Sequence, residues 1–273
     1  MGTSLAQAGG RAWETEPTPA APPRRRHPWR RWIWVLGVLA GLAVWQVLWQ
    51  TRAVPEYMLP APAAVAAKWL TLWRAGILWH HIAATLKEAL LGFAVAFVIG
   101  VGLGYPLARS DALAGVLAPY VAATQAMPVI AFAPLLVVWF GLGLLPKVII
   151  CALIVFFPIL VNTMAGLRSI DRSLTEAAYS MGANGWQTLW HVEIPLALRT
   201  LLAGIKMGLT LAMTGAVVGE FVAADAGLGY LMNLGRTAYD APEVFAAALT
   251  MAGVAILGYA GVSLLERLII TWE

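Results

Sequence analysis

Among residues able to hold a metal, His80 and His81 stand side by side. Successive side chains on a helix point about 100° apart, so these two cannot grip one ion together and read instead as residues of a membrane headgroup region. His27 and His191 have no partner at a useful spacing. Cys151, the only cysteine, stands inside an apolar run; an internal disulfide and a thiolate-only metal site are excluded, and a packed thiol is the simplest reading. The sequence holds no Gly-x-x-x-x-Gly-Lys-Ser/Thr loop to cradle phosphates, and no Gly-x-Ser-x-Gly, His-Glu-x-x-His or Cys-x-x-Cys. No catalytic residue, metal ligand set or bound cofactor is therefore assigned, and the chain is not expected to be an enzyme.

Three polar residues in apolar stretches remain: Gln125, Asn162 and Glu220. A polar group facing lipid is costly, so each is a candidate for lining a solute path. Structural pairing is the competing reading, with Glu220 reaching Lys147 or Arg236. Lys206 is expected to snorkel or pair near an inner membrane face.

The elements that carry these residues follow from composition. With 60% hydrophobic residues, 12% charged residues and a mean hydropathy of +0.76, the chain is too apolar for a soluble domain. Nearly charge-free runs of about 18 residues or more recur, each long enough to cross a bilayer core as a helix. An all-α, multi-pass membrane protein is expected. The net charge of +4 does not call for nucleic acid, because Arg24, Arg25, Arg26, Arg30 and Arg31 cluster just before the first apolar segment. Positive residues placed there hold their flank in the cytoplasm.

Residues 1–23 are rich in Ala, Pro, Thr and Gly and read as a disordered cytoplasmic tail. The segment from Trp32 to Trp49 exceeds an ordinary signal core and reads as an uncleaved anchor, so that residues 24–59 comprise the first span and its flanks. Residues 64–79, with Trp69, Trp73 and Trp79, suit an interfacial helix. A second span covers about 81–108. From Ala112 to Pro146 run 35 uncharged residues, too many for one straight crossing of about 30 Å at about 1.5 Å per residue. Two crossings, or one span kinked at Pro128 and Pro134, would both fit. Parity favours the kinked span, because it leaves Arg168, Arg172 and Arg199 on the cytoplasmic side. Further spans follow at about 144–167, 195–222 and 245–265, with an outer loop at 223–243. The sum is six spans with both termini in the cytoplasm.

Between the fourth and fifth of these spans lies a polar island, residues 169–193. Ser173 followed three residues later by Glu176 reads as a capping box. Leu174, Ala177, Ala178 and Met181 then share one narrow apolar face. Gly182, Asn184 and Gly185 stop that helix, and Trp186 begins a second short one. Two lightly apolar helices hinged on glycine are suited to pressing into a groove on another protein.

The order Glu176-Ala177-Ala178, three residues, Gly182, nine residues, then Val192-x-Ile194-Pro195 resembles the EAA loop of permease subunits in bacterial binding-protein-dependent ABC importers. Val192 and Ile194 stand where the family usually has Ile and Leu. The resemblance covers about residues 60–270 and implies the type I importer fold over 60–273. It implies that Glu176, Ala177, Ala178, Met181, Gly182, Ala183 and Asn184 form a coupling helix docking on an ATPase subunit, which uses ATP and Mg. It also implies a second permease copy, an extracytoplasmic binding protein contacting the outer loop, and the bacterial plasma membrane as location. Pro128 to Leu136, Trp139-Phe140-Gly141-Leu142-Gly143 and Gly227-Leu228-Gly229-Tyr230 resemble the nitrate/sulfonate/taurine group. The stretches Phe156 to Thr163 and Gly215 to Phe221 look closest to permeases for thiamine-pyrimidine precursors or riboflavin. An aromatic heterocycle is the favoured cargo, sulfonate, taurine or nitrate the runner-up. An ion-coupled secondary transporter is the alternative of a different class, and it lacks the expected internal repeat and carboxylate chain.

Overall fold

The computed structural model describes residues 30–126 and 128–269, without the side chains of 30–34, 124–126 and 223. The expected tail, the arginine cluster and the side chain of Gln125 lie outside that description. The chain divides into two units, 1–45 and 46–273. The first contributes most of helix α1 (Arg30–Gln50), whose side chains from Val35 to Val44 are largely exposed.

The second unit contains α2 (Pro62–Arg74), α3 (Ile77–Arg109), α4 (Asp111–Ala126), α5 (Val129–Phe140) and α6 (Leu144–Arg168). The short α7 (Arg172–Ser180) and α8 (Gly185–Thr188) follow. A π-helical segment (Leu189–Glu193) then leads into α9 (Ile194–Ala223), α10 (Leu228–Thr237) and α11 (Ala241–Ile269). Among the described residues four helices are long and apolar enough to cross a membrane: α3, α6, the run Gly185–Val222 and α11.

At the centre, α3, α6 and α9 meet on Cys151. A Cβ on Gly92 would fall 2.4 Å from its sulfur, and one on Gly215 would fall 2.8 Å from its Cα. Small residues at these positions let the three backbones approach where larger side chains would hold them apart. Ala89, Ala96, Val155, Ile159, Ala212 and Ala216 complete this core. Gly92, Gly100 and Gly104 of α3 face Cys151, Ile159 and Thr163 of α6, so those helices run parallel. Gly204, Gly215 and Gly219 of α9 face Asn162, Cys151 and Lys147, so α9 runs antiparallel to both. Two parallel neighbours require the chain to return an odd number of times between them. The return is made by α4 followed by α5.

The stretch expected as a single kinked span over residues 112–141 consists of two helices, α4 ending at Ala126 and α5 starting at Val129. Pro128 is the N-cap of α5, with φ −71° and an extended ψ of 100°. Pro119 and Pro134 stay inside their helices. Likewise α2 ends at Arg74, before Gly76 at φ +73°, so Trp79 belongs to α3 and not to the interfacial helix. Stacking of Trp69 on Trp73 at 5.3 Å and edge contact of Trp73 with Trp79 still join the two helices. The expected outer loop at 223–243 contains α10.

Candidate functional site

Two polar centres sit at opposite ends of the three-helix core. At one end lies the segment 169–193. Its first helix is capped by Asp171, whose Oδ1 accepts the backbone N–H of Ser173 at 2.9 Å. That bond, with one from the Ser173 hydroxyl, holds the Asp171 carboxyl below its usual range. Ser173 is thus not the N-cap, and Glu176 does not close a box. Its carboxylate lies 3.2 Å from Arg172 Nε and is two-thirds exposed. The reason is the register of the extended residue: ψ turns extended at Asp171, so its carboxylate reaches the free N–H groups first. A capping box does form one helix later. Gln187 N donates to Asn184 Oδ1 at 2.8 Å and Asn184 N donates to Gln187 Oε1 at 2.9 Å.

Between the two helices, Gly182 takes φ +89°, with its N–H on Tyr179 O at 2.9 Å. Open space surrounds the place a Cβ would occupy, so glycine is needed there for its backbone and not for room. Glu176, Ala177, Met181, Gly182 and Asn184 are exposed, and Ala178 and Ala183 half-buried. Met181 reaches 89% exposure, and Trp186 and Trp190 are exposed as well. The nine-residue α7 buries no side chain. A helix of that length gains little from propensity alone, and its usual support is a packed face, which the described residues give α7 only in part, at Thr175 and Ala178.

The segment is anchored by the residues that follow. Thr188 and Glu193 are buried, and a Glu193 carboxylate oxygen accepts from Arg109 at the end of α3. Arg168, ending α6, donates to Leu107 O at 3.2 Å and to Asp111 Oδ1 at 3.1 Å. Sequence reasoning passed over Arg109 and Glu193; the available signal was a carboxylate inside an otherwise aliphatic stretch before Pro195.

At the far end, Glu220 is buried, and among the described residues it forms an ion pair with neither Lys147 nor Arg236, although the Lys147 charge still acts on it. Its carboxylate accepts from Thr85 Oγ1 at 2.6 Å and from Gly229 N at 2.5 Å. Leu228 N donates to Thr85 Oγ1 at 2.8 Å and Gly227 N to His81 Nδ1 at 2.9 Å. The N-terminus of α10 is therefore capped by side chains from α3 and α9. A Cβ on Gly227 would lie 2.2 Å from the Glu220 carboxylate, which accounts for glycine at that position. Lys147 pairs instead with Glu88, both buried. Glu220 also borders a cavity of about 380 Å³ with Phe221, Asp225, Tyr230 and Asn233. Asn162 is half-buried against Gly204, its amide donating to Pro158 O at 2.8 Å. The three candidate path residues are thus not brought together: Asn162 lies between α6 and α9, Glu220 at the α10 cap, and Gln125 on α4 with its side chain outside the description. Lys206 pairs with Glu266 of α11.

Four helices long and apolar enough to cross a membrane, with a pair of short, largely exposed helices at one end of their core, are the architecture of a multi-pass membrane protein. The chain belongs to the family described as binding-protein-dependent transport system inner membrane component, whose model matches residues 96–271. It is 47% identical over 265 residues to the riboflavin transport system permease protein RibX of Chloroflexus aurantiacus, covering 95% of this chain and 98% of that one. It is 34% identical over 232 residues to the formylaminopyrimidine transport permease protein ThiX of Halalkalibacterium halodurans, covering 85% and 92%. The fold is similar to a chain of the inward-facing MetNI methionine ABC transporter, with a TM-score of 0.64 at 22% identity over 70% of this chain and 95% of that one. The protein is a multi-pass inner-membrane permease subunit of an ABC importer for a small solute, and not an enzyme; ATP hydrolysis belongs to a separate subunit. The family sets aside the ion-coupled alternative.

Proposed function

We propose that this permease carries a small aromatic heterocycle, riboflavin first and a thiamine-pyrimidine precursor second. The observation that carries the reading is 47% identity along nearly the whole length of a riboflavin permease. In this reading the chain crosses the membrane six times, with α4 and α5 together making one crossing and both termini in the cytoplasm. Residues 1–23 form a tail, 24–59 the first span, and 60–273 the importer domain with its coupling segment at 169–193. The end of the core that bears α7 and α8 faces the cytoplasm. Glu176, Ala177, Ala178, Met181, Gly182, Ala183 and Asn184 dock on an ATPase, which uses ATP and Mg, while this chain binds no cofactor. The lack of any buried side chain in α7 supports that docking. A second permease copy completes the path, with Gln125, Asn162 and Glu220 as its polar groups, and an extracytoplasmic binding protein delivers cargo at the α10 end.

The test is uptake of labelled riboflavin by cells that express this chain with its ATPase and binding protein and cannot make the vitamin. Uptake should need ATP, persist after the proton gradient is collapsed, and compete with unlabelled riboflavin but not taurine. Taurine uptake in its place would overturn the heterocycle assignment.

A further inference from the structure

The ends of α3, α6 and α9 nearest the coupling segment meet at a node of charge that docking alone does not require. Glu193 closes the π-helical segment, and its side chain is only 3% exposed, although α7 just before it buries nothing. One carboxylate oxygen accepts from Arg109, the last residue of α3 and 84 positions away in sequence. The other oxygen is buried without a hydrogen-bond partner among the described residues. The Arg109 guanidinium lies 5.6 Å from the centroid of the Tyr105 ring, which fixes its direction.

A carboxylate buried on one cation is a costly device if its task is only to hold helices together. Its placement suggests another task. A π-helical turn has looser hydrogen bonding than an α-helix and accommodates an extra residue, so it is a natural place for a helix to bend. The coupling segment joins α9 through such a turn, and by chain continuity alone a push on the segment would be absorbed there. The bond from Glu193 to Arg109 bypasses the turn and attaches the same segment to a second long helix.

We propose that Glu193 and Arg109 are positioning residues that make the coupling segment and the adjoining end of α3 move as one body, so that ATPase motion reaches α3 as well as α9. The proposal rests on the docking reading of residues 169–193. A strut of this kind, when cut, uncouples: the ATPase still binds and turns over, but the membrane helices no longer follow.

The experiment uses the complete complex of permease, ATPase and binding protein in liposomes. Glu193→Gln keeps the side-chain volume, and the double variant R109Q/E193Q leaves neither charge behind, which guards against failure to fold. Both should retain the ATPase at wild-type yield and hydrolyse ATP, while ATP consumed per solute imported rises about tenfold, the scale of energetic coupling between linked sites. The charge swap R109E/E193R should restore a good part of the lost coupling. Hydrolysis and uptake falling in parallel, or an unchanged ATP-to-solute ratio in both variants, would overturn the proposal. Failure of the unaltered permease to retain the ATPase through residues 169–193 would instead sink the docking reading.

Discussion

The Thr85 hydroxyl donates to Glu220 Oε1 at 2.6 Å while accepting the backbone N–H of Leu228 at 2.8 Å. One side chain thereby joins α3, α9 and α10, and both of its lone neighbours are buried. Replacing the hydroxyl by a methyl of the same shape leaves an acceptor and a donor unpaired, at a cost of about 1–3 kcal/mol. Thr85→Val should lower the unfolding temperature of the purified protein and expose residues 223–241 to protease, while Thr85→Ser stays near wild type. Protease resistance equal to wild type in the valine variant would refute the role assigned to this bond.

Gly182 is at φ +89° with open space around it. A β-branched side chain there costs about 1–2 kcal/mol through the backbone, and Asn, which tolerates this region, costs less. Gly182→Val should insert in the membrane yet fail to pull down the ATPase, and Gly182→Asn should retain it. A valine variant that captures ATPase at full yield would contradict the docking reading.

The contact of Gly92 with Cys151 leaves no room for a methyl group. Gly92→Ala overpacks the crossing and should destabilise by about 1–3 kcal/mol. Cys151→Gly, which clears the space, should recover part of that loss. A double-mutant cycle in thermal unfolding measures the coupling, and strict additivity would show that the crossing is not tight.

Lys68 binds Asp240 and, at 2.9 Å, Glu243, which joins α2 to α11. Its bond to Asp240 and then that to Glu243 hold the ammonium above its ordinary value of 10.5. A group whose folded value is raised contributes its stability fully below the unfolded value and loses it as pH rises through the folded one. The unfolding temperature should therefore be flat in this respect from neutral pH to about 10 and fall above it, and Lys68→Met should remove that fall. A fall of equal size in Lys68→Met would assign it to other groups.

The long helices were legible because each is an uninterrupted apolar run: residues 144–167 were expected where α6 spans Leu144–Arg168. The polar island was legible for the converse reason. The cap of α7 was not, since Asp171 and Ser173 are both good cap formers and only backbone geometry decides between them. Pro128 precedes the start of a helix while Pro119 and Pro134, both exposed, stay inside theirs, so residue type alone does not tell the three apart. Helix α10 could not be read from residues 223–243, because its caps come from Thr85 and Glu220. The Lys147–Glu88 pair spans 59 positions and the Arg109–Glu193 pair 84, and nothing local announces either.

With Gly92 pressed against the side chain of Cys151 and Gly215 against its backbone, α3, α6 and α9 interlock like cogs at this one crossing, and sliding there would break a close-packed seam. In the proposed importer, movement is then expected towards the ends of these helices and where they border α4 and α5, with the crossing at Cys151 as the fixed point. A covalent tether between α3 and α6 should leave uptake intact, whereas one between α5 and α6 should halt it.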